Sequence, residues 1–506
     1  VSPDLETNRA GRREWWALAA LVLVVLLLTI DGTVLYLAVP SLTTDIAPTA
    51  TQLLWIGDIY SFVLAGLLIT MGNLADKIGR KRLLLIGAAA FGCASVLAAF
   101  APNPETLIAA RALLGVAGAT LMPSTLSIVR HLFGDPRQRT TAIAIWSAGA
   151  TAGAALGPLV GGALLERFWW GSVFLINVPI MLVVLVAGVV LLPESRGDAD
   201  RPVDLISAAL SIVAIVPLVY AIKHWVGTGF DWTVLAFAAA GVVAGWLFVR
   251  RQLNLEYPLL DIALFRRPAF TGAVTSSALS IFAFMGLLFF FSQYLQLVRG
   301  YGPLRAGMAE LPATIASIVV IAFVGVLVTR FGPGRSIGAG LATAAVGLLL
   351  LGLSATHSGY WGLGVALAVL GLGVGVAMTL AVDAVVTAVP RERAGAASSI
   401  AETAYELGGA LGIAVLGSIQ LANYRSHVNL PADTDASRAA VVEDSLAATV
   451  ATVDDPGIVA LAKDSFAHAM QTTSFIAAAI LAVAAILAWR AIPSHGTVKV
   501  ARHDEV

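Results

Sequence analysis

Charge is scarce in this chain. Asp, Glu, Lys and Arg make up only 12% of it, against about 25% in a soluble globular domain. Its 31 bases balance its 31 acids, so no electrostatic case for nucleic acid can be made. Cysteine is almost missing. Cys93 stands alone in an apolar run and can neither staple a fold nor build a zinc site. The seven histidines form no ligand cluster, and no metal is expected. No Walker loop occurs, which argues against ATP as the energy source. Gly371-Leu-Gly373-Val-Gly375 follows no strand and is no dinucleotide fingerprint. No His/Asp or Ser/His constellation stands at a membrane face, so an integral membrane enzyme such as an acyltransferase is disfavoured.

Apolar residues are what the chain has in excess, at 58%. A bilayer core is crossed by ~20 apolar residues in a helix. Continuous runs of that kind lie near 16–40, 53–72, 83–101, 105–129, 142–165, 170–192, 203–222, 232–249, 270–297, 307–329, 336–355, 360–386, 395–422 and 467–492. They do not alternate, which favours helices over a β-barrel. The fold expected is an all-α polytopic membrane protein of fourteen spans embedded in a lipid bilayer. The first run, Trp15 to Pro40, is too long for a signal-peptide core and is expected to remain as an anchor. With the N-terminus cytoplasmic, 23 of the 31 Lys and Arg fall in inner segments. Seven fall in outer loops (Arg167, Lys223, Arg299, Arg305, Arg425, Arg438, Lys463), and Arg111 is left inside a span. This asymmetry predicts both termini in the cytoplasm.

The chain repeats itself. Gly72-Asn-Leu-Ala-Asp76-Lys-Ile-Gly79 has a counterpart in Gly325-Val-Leu-Val-Thr-Arg330-Phe-Gly332. Pro136-Arg137-Gln-Arg139 has one in Pro390-Arg391-Glu-Arg393. The offsets agree to one residue, which makes spans 1–6 and 9–14 related halves and spans 7 and 8 an insert. The division expected is a cytoplasmic tail 1–14, a six-helix bundle 15–195, inserted helices 196–255, a second six-helix bundle 256–495 with a long outer loop 423–466, and a cytoplasmic tail 496–506. In that loop, Ser437 to Val453 is predicted to form one short amphipathic helix, in a passive connector rather than a lid.

Several motifs carry chemistry. Gly72, Asp76, Gly79 and Arg80 lie in a basic loop whose glycines permit a tight turn between helix ends and whose acid can cap a helix or pair with arginine. Gly149, Gly153 and Gly157 recur every four residues in span 5, before Pro158 and Gly161-Gly162. Small residues at that spacing let helices approach closely. Together with Asp31-Gly-Thr33 in span 1, Arg111 and Gly115 in span 4 and Asn177-Val-Pro179 in span 6, these motifs resemble the major facilitator superfamily. Within it they resemble the fourteen-span drug:proton antiporters. Glu402, Tyr405 and Glu406 in span 13 are similar to what stands in exporters of quaternary ammonium compounds and dyes, of the QacA, SmvA and LfrA type. The resemblance implies two six-helix bundles with the substrate between them, no cofactor but the coupling proton, and a monomer in a bacterial cytoplasmic membrane.

Charges within the membrane are the site candidates, because each costs about 3 kcal/mol or more to place there. Asp31, Asp58, Arg111, Glu402 and Glu406 are expected to face a common interior. Glu310 is either a second outer-mouth carboxylate or a solvated loop-end charge, and Asp383 is expected to pair with an inner-loop arginine. Desolvation favours a neutral carboxyl group that can carry a proton, whereas an ionised one among aromatics can hold a lipophilic cation. Asp31, Arg111 and Asp58 are assigned to proton coupling. Glu406, Glu402, Asp31, Trp146, Tyr60 and Glu310 are assigned to the substrate. The function expected is proton-driven export of lipophilic cations such as quaternary ammonium biocides and ethidium, with fluoroquinolones as further candidates. The alternative is export of another solute, such as a lipid, peptide or amino acid.

Overall fold

The computed structural model describes residues 10–195, 204–256, 258–357, 359–389, 394–431 and 434–492. Among the described residues there is no strand, and fourteen helices are long and apolar enough to span a bilayer. They are α1 (Arg12–Ile46), α2 (Ala50–Ile78), α3 (Arg80–Ala99), α4 (Pro104–Leu132) and α5 (Pro136–Leu165). Then follow α6 (Ser172–Leu191), α7 (Leu205–Thr228) and α8 (Trp232–Asn254). The remainder are α9 (Pro268–Val298), α10 (Pro303–Phe331), α11 (Pro333–Ala355), α12 (Tyr360–Thr387), α13 (Ala394–His427) and α14 (Pro456–Ala491). The protein is an all-α, multi-pass membrane protein.

Local chemistry sets the helix starts. Proline opens α4, α5, α9, α10, α11 and α14, at the position where the missing N–H is no loss. Thr49, Asn103, Asp135, Asp204, Asp231 and Asp455 cap helices through their side chains. The outer surface is apolar, as lipid contact requires. Val183, Val186, Val242 and Val243 are exposed in its middle, while Trp16, Trp232, Trp361 and Trp489 stand exposed near helix ends as interfacial anchors.

Two extensions revise the predicted spans. Helix α7 runs on to Thr228, so Lys223 is not a loop cation but lies inside a helix. Helix α14 starts at Pro456, so the long loop is shorter than 423–466. That loop holds two short helices, Ala436–Asp444 and Leu446–Thr452, where one was predicted. Ser445 breaks them: its backbone is extended and its side chain caps the second helix.

The packing is pairwise symmetric. Gly149, Gly153, Gly157 and Gly161 of α5 lie against Val22, Leu26, Thr33 and Val34 of α1. In the same way Gly408 and Gly412 of α13 lie against Ala278 and Phe282 of α9. Gly79 and Gly332, at matching places in the repeat, both have positive φ, +113° and +79°. The positive φ is what calls for glycine at both places; the carboxylate of Glu194 near Gly79, at 2.6 Å from a side chain's first carbon, is the end of a flexible side chain that can move aside. The second repeated motif, Pro390 to Arg393, lies outside the described residues.

The two bundles meet along α2 with α13 and α5 with α10. The face that carries Arg12 and Ala491 is here the terminal face, and the opposite one the loop face. Contacts between the bundles gather toward the loop face. Gln296 Nε2 donates to the Leu37 carbonyl at 3.1 Å, and Tyr36 meets Phe289 edge-on at 5.5 Å. A side chain on Gly307 would come within 2.3 Å of the Pro158 carbonyl, and one on Gly162 within 2.7 Å of Leu304. Helix α7 packs on both α2 and α13, whereas α8 packs mainly on α7. The inserted pair therefore covers one of the two seams.

Candidate functional site

Sorted by their partners, the membrane charges form three groups, with Glu310 standing outside them. In the first, Asp31 of α1 and Arg111 of α4 are sealed inside the first bundle, 0% and 1% exposed. Arg111 Nη1 donates to Asp31 Oδ2 at 3.0 Å, and its Nε donates to the Ile56 carbonyl at 3.2 Å. Asn177 Nδ2 donates to Asp31 Oδ1 at 2.8 Å and to Ser95 Oγ at 3.1 Å. The guanidinium lies over the Tyr60 ring, 4.8 Å from its centre. One ion pair thus ties α1, α2, α3, α4 and α6 together. The sequence pointed to Asp31 and Arg111 as a pair but not to Asn177 or Ser95 as their partners.

Tyr60 is correspondingly not a free cation holder. One face of its ring is taken by the protein's own arginine, and the residue is 3% exposed. Trp146 is half-buried, and its Nε1 donates to Thr125 Oγ1 at 3.2 Å, which ties α5 to α4.

The second group was missed by the sequence reading. Lys223 Nζ of α7 donates to both oxygens of Asp58 on α2, at 2.9 and 2.7 Å, with both side chains fully buried. The ammonium also stands 3.7 Å above the centre of the Trp55 ring. The signal was present: Lys223 sits between Ile222 and Trp225-Val226, inside an apolar run that continues past the point where the span was ended.

The third group is on α13. Glu402 and Glu406 are one turn apart and half-buried. Glu406 shares a hydrogen bond with Ser61 of α2, across the seam. Neither glutamate has a cationic partner among the described residues. Two carboxyl groups at this spacing can hold a proton or balance a cation. Glu310 of α10 is 4% exposed, so the solvated loop-end reading is wrong. Its Oε1 has no hydrogen-bond partner among the described residues, while the carboxyl group shares a hydrogen bond with Ser292 of α9. Helix α10 begins at Pro303, two turns before it, which carries Glu310 below the helix end.

The glycine-containing basic loop after α2 does a structural task. Arg80 Nη2 lies 2.8 Å from Asp76. Lys81 Nζ donates to the carbonyls of Val189 and Leu192, and Arg80 N–H donates to the Ser195 carbonyl. The end of α6 is therefore pinned onto the start of α3. Gly72 lies inside α2 with only an ordinary contact to Pro123, so no tight turn or close approach needs it. The stripe of Gly153 and Gly157 faces α1; at its end Pro158, through its carbonyl, and Gly162 reach the second bundle. Asp383 is exposed, and Arg391 and Arg393 of the inner loop that follows it lie outside the described residues. A groove of about 350 Å³ lies between α9 and α14 at the terminal face, lined by Phe265, Thr271, Ser276 and Leu487. No acid lines it, and it is remote from all three groups.

Comparison with known proteins agrees with this architecture. Residues 21–413 match the family model described as Major Facilitator Superfamily. The chain is 45% identical to "Multidrug efflux pump LfrA" of Mycolicibacterium smegmatis, over 95% of this chain and 97% of that protein. It is 38% identical to "Methyl viologen resistance protein SmvA" of Salmonella typhimurium, over 87% of this chain and 89% of that protein. Among solved structures, a bacterial homolog of the human lysosomal transporter Spinster, inward-facing and unoccupied, superposes with a TM-score of 0.69 at 17% identity. That likeness covers 96% of this chain and 100% of the other, and it concerns the fold.

Proposed function

This chain belongs to the Major Facilitator Superfamily and is a transporter rather than an enzyme; from that premise we propose that it exports lipophilic cations from a bacterial cytoplasm in exchange for protons. The terminal face is the cytoplasmic one in this reading, in keeping with its excess of Lys and Arg. The protein works as a monomer, without ATP. Relatives named for multidrug efflux and methyl viologen resistance support the substrate class.

The observation that carries the reading is the state of Glu402 and Glu406. Asp31 and Asp58 already have a cation from the protein. The two glutamates have none among the described residues and lie half-buried, and Glu406 meets Ser61 across the seam between the bundles. An unpaired carboxylate inside the membrane is costly unless it is protonated or compensated. A proton and an organic cation are then alternative occupants, and alternative occupancy is the thermodynamic content of antiport. Each inward proton supplies about 2.3 kcal/mol per 100 mV of membrane potential.

Everted vesicles energised by respiration provide the test. Ethidium should release protons from vesicles carrying the native chain. Glu402→Gln and Glu406→Gln should reduce uptake of ethidium by tenfold or more (about 1.4 kcal/mol or more), and the double variant should abolish the proton release. Normal coupled transport by Glu402→Gln/Glu406→Gln would refute the assignment.

A further inference from the structure

Helix α7 holds on to both bundles at the loop-face end of the seam. It is tied to α2 by the Lys223–Asp58 ion pair, at 2.7 Å. It is tied to α13 where Arg425 Nη1 donates to the Val226 carbonyl at 3.1 Å. One turn before Lys223 along α7, Val219 packs with Phe62 of α2 and with Ala410 and Ala414 of α13, in one small apolar cluster. Opening the seam at the loop face moves α2 away from α13, so α7 must release one of them. The apolar surface around Asp58 offers no other counter-ion at contact distance. Besides Lys223, the charged group whose field reaches it is Arg111 of α4, already bound to Asp31. From α13 Ile413 approaches Gly57, while Leu407, Ala410, Leu411 and Ala414 pack in the apolar cluster around Phe62; the titratable group on that helix is Glu406, held to Ser61 about one turn along α2, and from α9 Phe289 approaches Gly57. On α7 itself His224 points elsewhere and pairs with Asp231.

We propose that Lys223 is a coupling residue supplied by the inserted helices: its ammonium and a proton compete for Asp58, so closure of the loop-face seam and protonation of Asp58 exclude one another. An ammonium held against a carboxylate disfavours a proton on it. With the seam open, Asp58 stands without that ammonium in an apolar wall and binds a proton from the loop side. When the seam closes, Lys223 returns, the O–H bond of Asp58 breaks, and the proton goes to water. The lysine keeps its three hydrogens throughout. The arrangement gives the acid a high proton affinity in one state and a low one in the other, as an antiporter requires. Reading this cycle as drug export rests on the function proposed above; the competition itself does not.

The experiment uses the full chain with Cys93→Ser, spin-labelled at Thr44 and Ser426, which are exposed at the loop-face ends of α1 and α13. Label distances are measured in lipid nanodiscs between neutral and mildly acidic pH, and ethidium-driven proton release is measured in proteoliposomes. In the native pair, acid should increase the open-seam population, by up to about tenfold per pH unit for one linked proton. Lys223→Arg should keep that dependence. Lys223→Met should lose it. Should Lys223→Met fold poorly, Asp58→Asn/Lys223→Met removes both charges, a change that buried pairs generally tolerate. That double variant should bind ethidium, fold, and show no pH dependence of the distance. A double variant that keeps the native pH dependence overturns the proposal and leaves the pair a structural tie. So does a native chain whose distances ignore pH. A native chain with pH-dependent distances but no ethidium-driven proton release would instead refute drug antiport and leave the competition standing.

Discussion

Arg111 and Asp31 are bonded at 3.0 Å at a point where five helices of the first bundle meet, and neither side chain touches the surface. The pair is better placed to fix the geometry of that bundle than to exchange protons with a cavity. Breaking it should therefore be costly in a particular pattern. Asp31→Asn leaves a buried guanidinium without its anion and should lower stability by about 3–5 kcal/mol. Asp31→Asn/Arg111→Met removes both charges and should recover most of that loss. Thermal unfolding in detergent, followed by size-exclusion chromatography, reads both. If Asp31→Asn melts like the native chain and loses only proton coupling, Asp31 is a coupling residue after all.

The glycines of α5 and α10 divide by what they touch. Gly153 meets Thr29 and Leu26 of α1 within its own bundle, where a side chain would come within 1.9 Å of Thr29 Oγ1. Gly307 meets Pro158 of the other bundle. Gly153→Ala should destabilise the fold by about 1–3 kcal/mol through overpacking. Gly307→Ala should leave the melting temperature nearly unchanged and open the loop face. Reactivity of a cysteine placed at Gln293, in the Cys93→Ser background, would rise in the second variant only.

Asp204 lies just outside the membrane, where Arg251 donates to both its oxygens, at 3.2 and 3.0 Å. Burial pushes its carboxyl up, but the bonds from Arg251 and Ser207 outweigh this and hold it below the ordinary carboxylate range. A depressed acid stabilises the fold above its unfolded titration range and loses that contribution as pH falls through its folded one. The pair is partly exposed, so the effect is at most about 1 kcal/mol. Amide exchange at Ser207 should be faster in Asp204→Asn at neutral pH, and the difference should vanish in acid.

Asp444 has the opposite sign. It docks the long loop onto the first bundle by accepting the Ala50 N–H at 3.0 Å, with Arg425 at 3.8 Å. Burial moves its carboxyl upward, against the pull of the Ala50 N–H and Arg425. An acid whose affinity for a proton rises on folding makes the docked state more stable as pH falls. Protection of the Ala50 amide, corrected for intrinsic exchange, should increase on acidification and lose that trend in Asp444→Asn. An unchanged trend in that variant would place the pH dependence elsewhere.

The sequence alone was sufficient for the fourteen helices, because a continuous apolar run in lipid satisfies its own backbone hydrogen bonds by folding as a helix. It was sufficient for the family, because the motifs of spans 1, 2, 4, 5 and 13 are local in the chain. It also pointed to every membrane acid, since such charges are rare enough to stand out. What it could not decide was which partner each acid finds. Asp58 and Lys223 are 165 residues apart, and Asp31 and Asn177 are 146 apart. Lys223 passed for a loop charge because hydropathy averages over a window, whereas a lysine is accepted inside a membrane helix when one buried carboxylate stands opposite it. Hydropathy shows that a charge is in the membrane; only the packing of the helices determines whether it is already neutralised by the protein or, as with Glu402 and Glu406, left to something that comes and goes.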